Sequence, residues 1–250
     1  MSTKIFALAQ VASVAGDLTA NLKRHLHFGE MAAMQGAHFL LFPELSLTGY
    51  ELALARSCAL AADAAELKPL RTLARDAQMT VVAGLPLIND SGALQLGALA
   101  FCPDGKVLSY AKQNLYGEEK KIFTPGDKGV DVTVGSLVVA LAICADIADP
   151  NHAANAAARG ANIYAAGVFE TESGYDRSAN ALSSYARLHG ISVLMANYSG
   201  TTGGQPSAGR SALWAEDGTL LASCEDDSEA ILFGRETGDG GWESWVSAVH

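Results

Sequence analysis

A chain of 250 residues with 49% hydrophobic and 18% charged residues can bury a large core, and reads as one globular domain over 1–250 rather than a disordered segment. Its formal charge of −10 repels phosphate backbones, which argues against a nucleic-acid partner. Cys58, Cys102, Cys144 and Cys224 form no CxxC pair and have no His cluster beside them, so neither a zinc site nor a disulfide framework is expected; reduced thiols in a cytoplasmic protein are.

KIFALAQV, from Lys4, reads as a strand. The run IFALAQVASVAG loosely mimics a signal peptide, but Gln10 breaks it and Asp17 then caps a helix over 17–35. No apolar run approaches the roughly 20 residues of a membrane helix. HFLLFP is a strand, 65–78 a helix and MTVVAGLPL a buried strand. Residues 93–112 form a hairpin around the turn signal PDG. LVVALAIC is a buried strand, NHAANAAARG a helix ended by Gly160, and ANIYAAG a strand. A helix over 176–189, the strand ISVLMAN, a surface loop at 199–209 and the hairpin SALWAEDGTLLAS complete the series. The last residues, GWESWVSAVH, fit no clear strand; Trp242 and Trp245 could cross to a partner or pack on their own domain. Alternating helices and strands with inserted hairpins predict an α/β fold with mixed sheets. QGAHFLLFPE and RGANIYAAG also echo each other, as common helix-Gly-strand grammar or as the kernels of a two-halved sandwich.

Three reactive residue types end strands: Glu44 after HFLLFP, Lys112 after KVLSYA and Cys144 after LVVALAI. Ligand sites of open α/β sheets gather at such carboxyl ends. A thiol near neutral pH is mostly protonated and needs a base, which Glu44 could supply. A cationic Lys112 could favour the thiolate and then a developing oxyanion. Taken singly, each has an ordinary reading: a solvated acid, a surface lysine, a core cysteine.

Together the segments are more specific. FPELSLTGYE at 42–51, KQNLYGEEKKIFTPGD at 112–127 and ICADIADPNHAANAAARGANI at 143–163 resemble, in order, three signature regions of the carbon–nitrogen hydrolase family, the nitrilase superfamily. VLMANYSG and AGRSALWAEDGTLLA resemble its late strand and final hairpin, so the resemblance spans nearly the whole chain. It implies an α-β-β-α sandwich, no metal or organic cofactor, and a homodimer or higher homo-oligomer. It also implies a small-molecule substrate, an amide most often, with nitriles and N-carbamoyl compounds as alternatives. The implied site is Glu44 as base, Lys112 as oxyanion stabiliser, Cys144 as nucleophile, the Ala145 N–H as a second oxyanion donor, and Glu119 as a second glutamate. The adjacent Glu118 could take that last place.

A silent binding protein of the same fold would need none of this set, and a thiol-redox protein would want a resolving cysteine. Pro150 is followed by Asn151 where the family often has Pro-Glu, and Ala145, Ile147 and Ala148 replace its usual aromatic or Arg residues, which leaves the substrate pocket open. His152 is a further base candidate, but it lies at a helix start. Asp149, Glu170, Tyr116 and Asn197 are substrate-binding candidates. No Lys or Arg occurs from 145 to 158, while Asp149, Glu170 and Glu172 lie on that side. The expected substrate is therefore neutral or amine-bearing, unless Arg177 or Arg210 reaches in to hold a carboxylate.

Overall fold

The computed structural model describes residues 3–237 and 241–249. In chain order the first half comprises β1 (Lys4–Gln10), α1 (Leu18–Met34), β2 (Phe39–Leu41), β3 (Leu60–Ala61), α2 (Lys68–Asp76), β4 (Thr80–Ile88), β5 (Leu94–Phe101), β6 (Val107–Ala111) and α3 (Glu119–Ile122). The second comprises β7 (Asp131–Val134), β8 (Leu137–Ile143), α4 (Pro150–Ala158), β9 (Ile163–Gly167), α5 (Glu172–His189) and β10 (Ser192–Ala196). It continues through β11 (Thr201–Thr202), β12 (Gln205–Pro206), β13 (Ala212–Trp214), β14 (Leu220–Ser223), β15 (Ala230–Glu236) and β16 (Trp242–Ala248).

Two mixed sheets form the centre. One runs β16-β15-β1-β2-β4-β5-β6 with β3 paired to β4, and the other β14-β13-β10-β9-β8-β7. The inner faces meet in an apolar layer that includes Phe6, Phe39, Leu41, Leu96, Leu141, Ile143 and Leu194. Phe28 and Ala32 of α1 and Leu70 and Ala74 of α2 cover the outer face of the first sheet. Ala153 and Ala156 of α4 and Leu182 and Ala186 of α5 cover that of the second. This is the α-β-β-α sandwich, and its strands β2, β4, β8 and β9 read as continuous apolar runs because both their faces are covered.

The two echoing segments sit one in each sheet, as β2 and β9, and touch at their ends. A Cβ on Gly167 would come 2.6 Å from the Phe42 carbonyl oxygen, so only glycine permits this approach. The ends of the two kernels thus converge where the candidate residues lie.

Local signals explain most boundaries. Asp17 accepts from the Ala20 N–H and caps α1. Asp149 does the same for the Asn151 N–H, with Pro150 in the first turn of α4. Helix α5 starts at Glu172, four residues before the position expected, because Gly174 disguises its first turn. The loop 199–209 holds a small hairpin, β11 with β12, turned at Gly203 and Gly204, both with positive φ.

The C-terminal segment departs from expectation. It forms β16, paired antiparallel with β15 along its length. Trp242 lies 5.6 Å from the Phe6 ring, and Trp245 stacks on Phe233 at 5.1 Å. Its alternation of half-buried and exposed residues marks an edge strand, and both tryptophans pack on their own domain. No helix among the described residues is long and apolar enough to cross a membrane.

Candidate active site

Glu44 and Lys112 follow β2 and β6 of one sheet, whereas Cys144 follows β8 of the other. The acid and the amine therefore meet the thiol across the sandwich. Lys112 is fully buried, and its Nζ donates to Glu44 Oε1 at 2.6 Å and to Glu119 Oε1 at 2.8 Å. An ammonium has three donors, so one remains.

The two glutamates differ in how they are satisfied. Glu119, 1% exposed at the start of α3, accepts at Oε1 from the Tyr50 hydroxyl (2.6 Å) as well as from Lys112, and at Oε2 from the Tyr116 N–H (2.8 Å). Glu44 Oε2 is buried with no hydrogen-bond partner among the described residues. A saturated carboxylate can only hold its neighbours in place; one with a bare buried oxygen is an acceptor waiting for a proton. Glu118, by contrast, pairs with Lys121 on the surface.

Electrostatics separate the groups further. Burial, opposed by Lys112 and helped by the charge of Glu119, raises Glu44 from 4.5 to about 7. Burial also opposes the charge of Lys112, but the attraction of Glu44, Cys144 and Glu119 outweighs it and holds the ammonium protonated. At neutral pH the lysine keeps its charge and Glu44 is the member that titrates. The Cys144 thiol stands well above its ordinary range, because of burial and the nearby Glu44 charge. A resting thiolate is thus disfavoured, and the proton must leave as the sulfur reacts.

Cys144 opens a short 3₁₀ turn, Cys144–Ala148, with φ of +40°. Leu45, beside the acid, is also left-handed, with φ of +51°. Such conformations cost on the order of 1–3 kcal/mol in a non-glycine residue and persist only where the surroundings impose them. At Cys144 the imposing group is Asp146, which is fully buried and accepts from the N–H groups of Ile143 (3.0 Å), Gln113 (3.0 Å) and Asn114 (2.8 Å) and from the Tyr110 hydroxyl (2.5 Å). One carboxylate therefore ties the nucleophile turn to the segment that follows Lys112. His152 backs this tie at 2.8 Å from both the Tyr110 and Tyr164 hydroxyls, which makes it part of the support and not a base for Cys144. We expect Asp146→Ala to lower unfolding free energy by roughly 3–5 kcal/mol, since several buried donors lose their acceptor together. Denaturant titration of the purified variant checks this.

The acid is held as firmly. The Tyr198 hydroxyl donates to the Glu44 carbonyl at 2.7 Å. His25, pushed down to about 4 by burial, contacts Ser46 Oγ through Nε2 at 2.9 Å and stays neutral.

The remaining candidates divide. Ala145 lies in the first turn of the 3₁₀ segment that Cys144 opens, where an N–H has no partner within the helix. Glu170 lies beside the nucleophile, one residue past Phe169, whose carbonyl receives the thiol at 3.7 Å. Three expectations need correction. The Tyr116 side chain is 71% exposed, and the residue serves the site through its N–H alone. Asp149 caps α4. Asn197 is fully buried, with its Oδ1 accepting from the N–H groups of Glu170 and Tyr198 and its Nδ2 donating to the carbonyls of Glu170 and Gly209, which leaves nothing for substrate. Tyr50, Tyr198 and Phe169 were not expected. Tyr50 and Tyr198 lie inside matched segments, but neither has a sequence signal of its own.

The carbon-nitrogen hydrolase profile matches residues 6–235, and the chain belongs to this family. Among solved structures it resembles the amidase from Nesterenkonia sp. AN1. A glutamate-to-leucine mutant of that amidase, with the acetamide moiety of fluoroacetamide covalently added at the active site cysteine, superposes with TM-score 0.84 at 29% identity, over 92% of this chain and 89% of that one. A cysteine-to-alanine mutant in complex with butyramide gives 0.85 at 28% identity, over 95% and 92%. Among curated proteins, a glutamine-dependent NAD(+) synthetase of Thermotoga maritima is 33% identical over 57% of this chain and 26% of its own length. A nitrilase of Pyrococcus abyssi is 32% identical over 54% and 53%. The chain thus spans about a quarter to a half of these curated relatives.

Proposed function

We propose that this carbon–nitrogen hydrolase is an amidase acting on small linear amides through a thioester at Cys144. The observation that carries the reading is the asymmetry around Lys112: one glutamate saturated, one with a bare oxygen, and a spare ammonium donor between them. Glu44 takes the thiol proton as Cys144 Sγ bonds to the amide carbonyl carbon. The third Lys112 donor and the Ala145 N–H receive the oxyanion. Glu44 returns the proton to the departing nitrogen as the C–N bond breaks, leaving the thioester and ammonia or an amine. Water, deprotonated by Glu44, then attacks the thioester, and the thiol and a carboxylic acid are released. Glu119 holds Lys112 in place. The small amide groups seen at the Nesterenkonia amidase, the acetamide moiety of fluoroacetamide and butyramide, support the small-amide reading. The nitrilase relative makes nitriles the second reading, with the same nucleophile.

Ammonia release across small amides, N-carbamoyl compounds and nitriles, with intact-protein mass spectrometry for an acyl adduct at Cys144, tests both readings. Turnover of nitriles alone would replace the first with the second. Absence of any adduct or turnover would remove both.

The pH dependence follows from Glu44. A base must be ionised, so kcat/KM should rise about tenfold per unit up to pH about 7 and level off above it. The same shift bears on stability with opposite sense. Between 4.5 and about 7 the folded state holds more protons than the unfolded one, so this contribution is full below 4.5 and is lost as pH rises through about 7. A profile flat from pH 5 to 8 would remove Glu44 as the base.

A homodimer is part of the proposal. Trp242 and Trp245 pack on their own domain and stay half-buried on the edge strand β16, and other exposed apolar residues include Met34 (78%) and Leu188 (71%). Sedimentation at micromolar concentration is expected to give twice the chain mass.

A further inference from the structure

Of the three acids expected on the substrate side, Glu170 is the one whose charge acts on the nucleophile. Asp149 caps a helix, and the Glu172 side chain, 81% exposed, pairs with Arg210 at 2.7 Å. Arg210 itself lies over the Tyr175 ring at 3.9 Å, so it is committed away from substrate. Glu170 is different in kind.

Its backbone is fixed at every polar atom. The N–H donates to Asn197 Oδ1 at 2.9 Å, and the carbonyl accepts from the Ala208 N–H (2.9 Å), Asn197 Nδ2 (3.1 Å) and Ser207 Oγ (3.3 Å). A loop residue held by four such bonds presents its side chain in one place without further ordering cost. Its Oε1 accepts from Ser178 Oγ at 2.5 Å, and Oε2 has no hydrogen bond among the described residues. Space for Oε2 is kept by Gly174, where a Cβ would come within 2.3 Å of it. Gly174 belongs to the first turn of α5, whose N-terminal partial positive charge favours the ionised carboxyl.

No cation among the described residues forms a salt bridge with Glu170, though Arg177 Nη2 also lies 3.8 Å from where a Gly174 Cβ would stand. Burial pushes the Glu170 carboxyl up from its ordinary range, opposed by the Ser178 hydrogen bond and, through space, by Arg177 on α5 and by Lys112; a cationic group bound beside it would act in the same ionising sense. The charge of Glu170 is in turn felt at Cys144. The neighbouring residue Phe169 packs its ring 5.2 Å from Tyr50, whose hydroxyl reaches Glu119. The segment beside the nucleophile thus supplies a positioned carboxylate, and the residue before it supplies one of two packed aromatic rings. That combination suits an alkylammonium group: the carboxylate binds its N–H donors, and the rings accept its charge and its methylenes.

We infer that Glu170 is a specificity-determining residue that selects amides carrying a positively charged nitrogen a few bonds from the scissile carbonyl. This rests on the amidase reading and narrows its substrate class. The covalent chemistry is that given above; the ammonium group takes no part in it.

The test is a matched series in which the far end of the acyl chain alone changes. 4-Aminobutanamide, pentanamide and 4-carboxybutanamide present an ammonium, a methyl and a carboxylate at similar positions, and glycinamide and 3-aminopropanamide vary the reach. Wild-type kcat/KM for the best ammonium member is expected to exceed that for its neutral match by about tenfold or more, the yield of one charge-assisted hydrogen bond in a partly buried site. The gain should lie in KM more than in kcat and should shrink as salt is raised. In Glu170→Gln the ammonium-to-neutral ratio is expected to fall towards one. In Glu170→Asp it should stay above that of Gln. Because each readout is a ratio within one protein, loss of folded material cannot mimic it. A wild-type preference for the neutral or carboxylate member overturns the inference, as does an ammonium preference unchanged in Glu170→Gln. Failure of the wild type to release ammonia from any amide, with no adduct at Cys144, overturns the amidase reading and this inference with it.

Discussion

Replacing Cys144 with alanine is expected to abolish amide turnover, lowering kcat by at least about five orders of magnitude, while Cys58→Ala stays close to wild type. The difference follows from the surroundings of each sulfur. Cys144 sits on a turn with φ of +40°, receives electrostatic influence from Glu44 and Lys112, and faces the residues that would move its proton. The Cys58 thiol instead donates to the Gly16 carbonyl at 3.7 Å, in the loop that precedes α1. Residues acting as one unit lose nearly everything when one is removed, because the others have nothing left to assist. Steady-state ammonia release, with circular dichroism to confirm the fold, is the measurement. Turnover by Cys144→Ala within tenfold of wild type would sink the mechanism.

Lys112→Ala is expected to damage both activity and stability. Nζ holds two buried carboxylates, Glu44 and Glu119, at 2.6 and 2.8 Å. Without it, two like charges remain in a site screened from water. Breaking a buried pair from one side costs about 3–5 kcal/mol, much more than such a pair contributes on balance. The sign with pH is defined: Lys112 opposes the upward push on Glu44, so removing the cation raises Glu44 further, and the variant should recover stability as pH falls and Glu44 protonates. The double variant Lys112→Ala, Glu119→Ala should be more stable than Lys112→Ala alone at pH 8, because one stranded charge is gone. Urea unfolding at pH 5 and pH 8 reads both effects. A single variant with the same stability at the two pH values would show that the lysine does not carry the balance of charge. Activity should fall by several orders of magnitude in both, as the proposed oxyanion site loses the Lys112 ammonium.

The alternation of strands and helices, the hairpins around PDG and EDG and the capped helices α1 and α4 were legible in the sequence, because each depends on local grammar: periodicity, turn chemistry and caps. The strands β15 and β16 were less so. Trp242 and Trp245 resemble unpaired surface aromatics until β15 supplies the edge on which they pair and Phe6 and Phe233 supply the rings they cover. An edge strand is a tertiary object, and its pattern is weak because one face is only half-buried.

The chemistry divides along the same line. Residue types and their order put Glu44, Lys112, Glu119 and Cys144 on the page, since an acid, an amine and a thiol each close a strand or a recognisable motif. The resemblance implied Glu44 as base and Glu119 as a second glutamate, but nothing local in the sequence gives the physical reason for the difference. That distinction lies in which oxygen is bonded: Glu119 is saturated by Tyr50, Tyr116 and Lys112, and Glu44 Oε2 is not. Nor could the sequence separate Glu170 from Asp149 and Asn197, which carry similar polar groups on the same side. A helix cap, a backbone clamp and a free carboxylate differ only in what lies across from them. The chain by itself determined its elements and its reactive groups, because those follow from neighbours along the backbone. The sandwich decided which groups meet and in what state of charge, because burial and pairing come from residues dozens of positions apart, such as the 68 that separate Glu44 from Lys112.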